Sequence, residues 1–435
     1  MFKKENIKQD FWKIFFPLLL IFYIFIAYNL VDVFFAGMIG EAAIAGLQIA
    51  FPIFFLILAF NEGLGTAMNN LASISLGENK EKKIAKYFTI GTLLAIFIGI
   101  IFFIFSEKIV NIFLYFSSDI NNEVKKYAFD YGNILVKYSV FYIFGGMIWQ
   151  LMIVFKKRKV QIFMASMILF LNIILDYIFV KYLSYGTQGI AYATVLTWIF
   201  TSSFGIYYVI FRKKITNFTK NITFKNTKKY LSFANSAFFI MILVMFSIMI
   251  DNYFFGKIGE EAIASYGIGT RLKDLLFYPI IAMSIAFSVL YGYYFGKKDE
   301  KTQDKLISWI IKISLIYGIF LLFLMPLIGK LFGGFFTNNE LTLKYLFLYM
   351  IFSAISMFGF LFEFIFSSIL QIRSHHKARI LLNILFVILV FIFEYIFYEI
   401  FKSYIGVWIG ALISALLVSY LTYLYYKIKI KKVGY

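Results

Sequence analysis

One stretch of this chain is written twice. Residues 32–77 reappear at 251–296, with Asp32 on Asp251, Phe35 on Phe254, Gly37 on Gly256 and Ile39-Gly40-Glu41 on Ile258-Gly259-Glu260. Two apolar hairpins matching by chance would share apolar letters. They would not share an acid, glycines and a hydrophilic loop that opens at the same place, after Gly77 and Gly296. A second echo sets Asp176-Tyr-Ile-Phe179 against Glu394-Tyr-Ile-Phe397 at nearly the same offset. The chain is therefore two similar halves, and a long repeat in an apolar chain points to a transporter architecture.

The solvent of these halves follows from composition. Hydrophobic residues make up 62% of the 435 positions and charged ones 15%, where an ordinary soluble domain is about half apolar and a quarter charged. Runs such as 15–35, 84–105, 162–180 and 313–328 are long enough, or nearly so, to cross a hydrocarbon layer of ~30 Å as helices. The chain has no cysteine, which excludes disulfides, thiolate catalysis and Cys-ligated metals. Its two histidines, His375 and His376, are adjacent in a basic loop where a solvated face is expected. A membrane enzyme would need His, Asp and Glu clustered at a catalytic spacing, so the expectation is no enzyme and no cofactor. A channel would need a symmetric filter, which two halves with unlike acids do not suggest. The start is short and basic with no small-residue cleavage site, so no signal peptide is expected.

The net charge of +19 could suggest nucleic acid, but its distribution argues for a membrane surface. Lys8 and Lys13, the loops at 80–86, 156–159, 212–229, 297–305 and 373–379, and the end at 427–432 hold most of the basic residues. They fall on alternate loops, and positive charge accumulates on the cytoplasmic side. Both termini are then cytoplasmic, the number of spans is even, and the protein is multi-pass in the plasma (inner) membrane. Basic loops beside anionic headgroups account for the charge without a nucleic-acid partner.

Read in order, the chain gives twelve transmembrane helices. The fold class is all-α integral membrane, in two pseudo-symmetric six-helix lobes around a central cleft. The amino-terminal lobe is 1–211, a polar cytoplasmic linker follows at 212–229, and the carboxyl-terminal lobe is 230–435. Helix one is expected over about 13–37, with Pro17 near its start, where a missing N–H and a ring clash would kink it. Asp119, Asn121 and Asn122 suit a wet external loop, as does the turn at 337–339.

The chemistry must lie in polar residues inside the spans, each of which is costly to bury. Asp32 sits deep in helix one, with Asn29 three and Tyr28 four residues earlier on one face. In helix five, Asn172 and Asp176 are also four apart, and helix six brings Thr194 and Thr197 after a small-residue run. Two carboxylates with amide and hydroxyl partners from three helices could form a pocket for a proton or a sodium ion. Desolvation and mutual repulsion disfavour two negative charges there, so the pair could take up a proton from the more acidic side. The alternative is that each acid is a cap or interface residue satisfied by backbone.

The run Val31-Asp-Val-Phe-Phe-Ala-Gly-Met-Ile-Gly-Glu-Ala-Ala-Ile-Ala-Gly46 resembles the first-hairpin signature of multidrug and toxic compound extrusion (MATE) transporters. So do Asn172-Ile-Ile-Leu-Asp176 and Gly186-Thr-Gln-Gly-Ile-Ala-Tyr-Ala-Thr194. The resemblance covers essentially the whole chain and leans toward the DinF-like branch, whose essential carboxylates lie in the amino-terminal lobe. It implies a cation-coupling site of Asp32, Asn172, Asp176 and Thr194 with Tyr28 beside it, and a helix-one kink at Pro17. It implies export of amphipathic or cationic organic compounds by an antiporter using H⁺ or Na⁺ and alternating access. The sodium ion, where it is the coupling ion, would sit at Asp32 and Asp176. One departure is that Trp149, with Gln150 beside it, stands where the family has a helix-four polar residue.

In the second half Asp251 is the repeat partner of Asp32 and Glu394 that of Asp176, while Glu363 lies in helix ten. These three are a candidate second site, against a hydrogen-bonded structural role. Arg271, Lys273 and Asp274 read as an internal ion-pair cluster. Glu62 could face the cleft and attract a cationic substrate, with Gln150 and Trp149, or could pair with a lysine. Flexible Met and flat aromatic faces accept many shapes, and aromatic faces attract cations. The expected partners are therefore a small organic substrate and the lipid bilayer, for a protein acting as a monomer. The alternative function is a flippase for lipid-linked oligosaccharide or lipid of the same superfamily. Such proteins line the cleft with several Arg residues for pyrophosphate, and few arginines occur here.

Overall fold

The computed structural model describes residues 7–115, 122–335 and 339–431, and the regular elements among them are all helical. Asp119, Asn121 and Thr337, expected in wet loops, lie outside the described residues, while Asn122 opens a helix. The first half runs α1 (Ile7–Ile39), α2 (Glu41–Gly77), α3 (Lys82–Tyr115), α4 (Asn122–Lys137), α5 (Ser139–Val154), α6 (Arg158–Asp176) and α7 (Gly186–Ile206). The second runs α8 (Phe224–Ile258), α9 (Glu260–Gly296), α10 (Glu300–Phe332), α11 (Glu340–Ile372), α12 (His376–Phe401) and α13 (Tyr404–Tyr425). Helices α6, α7 and α13 each continue into a six-residue π-helical segment, at Tyr177–Tyr182, Tyr207–Arg212 and Tyr426–Lys431.

Eleven of the helical stretches are long and apolar enough to cross a membrane. The pair α4 and α5 passes the same test only when taken together and is bent by 54° at Tyr138, where the sequence suggested one uninterrupted fourth helix; counted as one span it makes twelve. Helices also run further than hydropathy indicated. α3 continues to Tyr115, past the apolar run at 84–105, and α8 begins at Phe224 inside the expected linker. Backbone hydrogen bonding carries a helix past the end of its apolar run, because the polar side chains there reach water while the ladder stays closed.

A single residue separates α1 from α2, and another separates α8 from α9. Gly40 has φ 147° and Gly259 φ 145°, backbone that L side chains rarely adopt. The duplication extends to turns whose letters differ. Left-handed residues recur at Asn79 and Lys298 (φ 57° and 59°), at Lys156 and Ser374 (57° and 65°) and at Ser184 and Lys402 (53° and 45°). The repeat is thus conserved in backbone geometry where it is invisible in residue identity.

The chain divides into two compact units, Phe16–Ile242 and Leu243 onward, the latter joined by the described residues up to Phe15. The boundaries fall inside α1 and α8 rather than in the polar stretch after Arg212. The two ends of α1 pack in different surroundings. Phe11 stacks edge-on against Trp309 at 4.9 Å in the second unit. Phe35 and Ala36 join a core with Ala43, Leu47 and Ile190 in the first. Pro17 lies next to that boundary, inside one continuous 33-residue helix. In the first unit α2 packs along α4 and α5, and α7 closes over both. In the second unit α11 is central, touching α9, α10 and α13, and α12 lies along α13.

Candidate cation site and its counterpart

Inside the first unit, α1, α4, α6 and α7 bring six polar side chains around one carboxyl group. Asp32 is 6% exposed, and Asn172 and Asp176 are fully buried. Thr194 and Tyr131 each donate to Asp32 Oδ2, both at 3.4 Å. That is long for O–H···O, whose usual distance is near 2.7–2.8 Å, so the carboxyl is only loosely held. The Tyr28 hydroxyl lies 3.4 Å from Thr197 Oγ1, and Thr197 is committed to the Thr194 carbonyl at 2.7 Å. Asn172 lies beside Asp32, and neither of its amide atoms meets hydrogen-bond geometry with any described residue. Asp176 lies within electrostatic range of Asp32.

The four predicted ligands and Tyr28 therefore converge, with Thr197. Asn29, expected on the same face, is exposed. Three residues along a helix turn a side chain further from the Asp32 direction than four do. Tyr131 was missed; nothing in the sequence distinguishes it among 32 tyrosines, and only the bend between α4 and α5 accompanies its approach. Asp176 is the last α-helical residue before the π segment, a local geometry that recurs at functional sites.

Two features define what this arrangement can do. Asp32 Oδ1, both Asp176 oxygens and both Asn172 amide atoms are buried with no hydrogen-bond partner among the described residues. Among the described residues, no lysine or arginine acts on either carboxyl. Buried charge without a counterion is strongly unfavourable. The donor set, oxygens with one amide, fits a proton or a small hard cation.

The weaker cleft candidates are partly committed elsewhere. Gln150 accepts a hydrogen bond from Asn69 at 2.9 Å, and Trp149 packs on Phe25 at 5.8 Å while its carbonyl accepts from Gln161. Glu62, on α2, is half-buried, and no lysine or arginine acts on it. His375 caps α12 and contacts the Tyr425 hydroxyl at 3.0 Å, while His376 is buried at the helix start rather than solvated.

The second unit gathers the repeat partners differently. Asp251 of α8 accepts from Tyr266 of α9 at 2.9 Å and interacts electrostatically with the fully buried Glu394 of α12. Glu363 does not join them. It interacts with Arg379, Ser367 and Asn383, and Arg379 itself donates to Ser367 and Gln371. The three-acid candidate site is thus two groups, because one turn of α12 carries Arg379 and a later one Glu394. Of the expected ion-pair cluster, Lys273 and Asp274 interact and Arg271 is exposed.

This architecture has known counterparts. It superimposes on a MOP superfamily transporter from Pyrococcus furiosus with a TM-score of 0.91 at 20% identity, over 99% of this chain and 97% of that one. A multidrug resistance MATE family transporter of the MOP superfamily, in an outward-facing conformation, matches at 0.90 and 20% identity, over 99% and 98%. In sequence, the multidrug export protein MepA of Staphylococcus aureus is 28% identical over 176 residues, 39% of this chain and 38% of that protein's length. The MatE family model matches twice, at residues 17–178 and 236–396, once in each copy of the repeat. The chain belongs to the MatE family.

Proposed function

We propose that the protein is a cation-coupled antiporter that exports amphipathic or cationic organic compounds by alternating access, with H⁺ or Na⁺ binding at Asp32 and Asp176. The observation that carries this reading is the buried carboxyl pair of the first unit, in which Asp32 Oδ1 and both Asp176 oxygens have no hydrogen-bond partner among the described residues. A cation entering the pair and a substrate binding elsewhere would favour different states, so that one drives release of the other. MepA, named as a multidrug export protein, and the multidrug resistance family structure support the substrate class. In this reading the protein works as a monomer in the plasma membrane, with both termini cytoplasmic, the bilayer and a small organic molecule as partners, and no nucleic acid.

The test is ethidium or norfloxacin efflux from cells carrying wild type or Asp32→Asn, with sodium and pH gradients imposed separately. Coupling at this pair predicts gradient-driven efflux in wild type and its loss in the variant. Equal export by both under every gradient would remove the coupling site. Failure of both to move either compound, with lipid-linked sugar accumulating on deletion, would favour a flippase.

A further inference from the structure

The second unit carries a groove that the proposed transport cycle does not use. Helices α10 and α13 each pack along α11, and a cavity of about 280 Å³ lies between them. Asp304, Ile307, Ser308 and Ile311 line it from α10, at the i, i+3, i+4, i+7 spacing of one helix face. Tyr426, Lys427 and Lys431, from the π-helical segment that continues α13, line the other wall. Phe366 of α11 forms the floor, with its ring 5.1 Å from that of Tyr426.

Helix α10 starts where α13 ends, so the charged residues of both walls gather at one end of the groove. Asp304 lies in the second turn of α10 and the two lysines in the π segment, and all three are exposed. Among the described residues, no ion pair joins Asp304 to either lysine. Behind them the lining turns apolar: Ile307 is 7% exposed and Phe366 2%, and Ile311 is half-buried. A charged mouth at the end of the membrane spans, with an apolar floor behind it, fits a molecule with a charged head and an apolar tail. Two ammonium groups and one carboxylate leave the mouth with one net positive charge. A headgroup with a single negative charge brings that to zero, whereas a zwitterionic one does not. Lys301, Lys305 and Lys429 are exposed at the same end, and basic clusters beside a bilayer draw anionic lipid toward them.

We infer that this groove is a binding site for one singly anionic diacyl phospholipid, with phosphatidylglycerol the headgroup chemistry that fits. Its phosphodiester would rest on Lys427 and Lys431, a glycerol hydroxyl would donate to Asp304, and the first carbons of an acyl chain would lie against Ile307, Ile311 and Phe366. Free phosphate would leave the apolar floor unused. The site is built from the second unit alone and does not depend on which ion drives transport.

Native mass spectrometry of the purified full-length protein, titrated with dioleoyl phosphatidylglycerol or dioleoyl phosphatidylethanolamine, reads the site as a single saturable lipid adduct. Phosphatidylglycerol should bind the more tightly. Lys427→Gln combined with Lys431→Gln should weaken its binding about thirtyfold, the combined effect of two basic residues at the membrane surface. Lys301→Gln combined with Lys429→Gln removes the same charge at the same end but outside the groove, and should leave the affinity within about twofold. Ser308→Trp fills the groove while keeping both lysines, and should abolish the saturable adduct. Equal losses in the two lysine pairs would show a general basic surface and overturn the proposal. So would equal binding of the two lipids, survival of the adduct in Ser308→Trp, or displacement of the lipid by millimolar inorganic phosphate. Thermal unfolding in detergent checks that each variant folds; if Ser308→Trp does not, the exposed lysine pairs decide.

Discussion

The same place in the two copies of one repeat carries two carboxyl pairs built to opposite specifications. In the first unit Asp32 and Asp176 interact, their oxygens are loosely held or unpartnered, and among the described residues no basic residue acts on them. In the second, Asp251 and Glu394 interact, Tyr266 holds Asp251 at 2.9 Å, and Lys273 acts on Asp251 electrostatically. The helices differ as well. The chain turns π-helical immediately after Asp176, whereas α12 continues as regular α-helix past Glu394 to Phe401. Duplication supplied two pairs, and divergence left one short of positive charge and closed the other around its own.

The largest effect should separate the pairs outright. Asp32→Asn or Asp176→Asn is expected to lower gradient-driven ethidium efflux by a factor on the order of 5–150, the span of typical coupling free energies. Glu394→Gln should stay within about threefold of wild type, since a coupling below ~0.7 kcal/mol corresponds to no more than that. Efflux lost equally in both would erase the distinction.

Next in size is packing. Gly410→Ala places a methyl against the Glu394 backbone and should destabilise by about 1–3 kcal/mol, seen as a lower unfolding temperature in detergent. Gly40→Ala and Gly259→Ala should each cost roughly 1–3 kcal/mol from backbone strain alone, and equally, since their φ angles agree within two degrees. Unequal losses would mean the copies differ in more than their acids.

The hydroxyls provide a finer probe. Tyr266→Phe removes a 2.9 Å bond to Asp251 and should cost on the order of 1–3 kcal/mol, as for hydrogen bonds to charged groups. Tyr131→Phe removes a 3.4 Å contact to Asp32 and should cost less. The reverse order in thermal unfolding would mean the first pair is the tighter one.

The smallest effect lies in the turns. Glu78, after α2, stands 2.8 Å from Lys83 and 3.5 Å from Lys80, while the matching position after α9 is Lys297. Partial burial pushes the Glu78 carboxyl upward, but the two lysines outweigh it and hold it below the usual glutamate range. A depressed value stabilises the fold above the unfolded-state pKa of 4.5, and that contribution is lost as pH falls below it. Glu78→Gln should therefore lower stability slightly at neutral pH, by well under ~1 kcal/mol for so exposed a pair. The difference from wild type should vanish in acid.

Much of the candidate site was legible because buried polar residues are rare in an apolar chain. Asp32, Asn172, Asp176 and Thr194 stand out among leucines and isoleucines, and helical spacing puts the two in helix five on one face. Tyr131 was not legible, since a tyrosine in a helix gives no sign of which residue its hydroxyl will meet. Grouping Glu363 with Asp251 failed for a related reason. Both are membrane acids, and spacing within single helices says nothing about which acid a neighbouring helix will present.

The sequence by itself determined that the chain is a membrane-embedded helical protein in two related halves, because hydrophobicity and repetition are properties of the string. That the turns at Gly40 and Gly259 shrink to one residue was decided by the structure, although only a residue without Cβ readily accepts φ near 147° there. Only the tertiary structure decided that one acid pair is left without a counterion and the other meets Lys273. Charge balance in a low-dielectric interior depends on distances between helices far apart in the chain, and no local pattern encodes those distances.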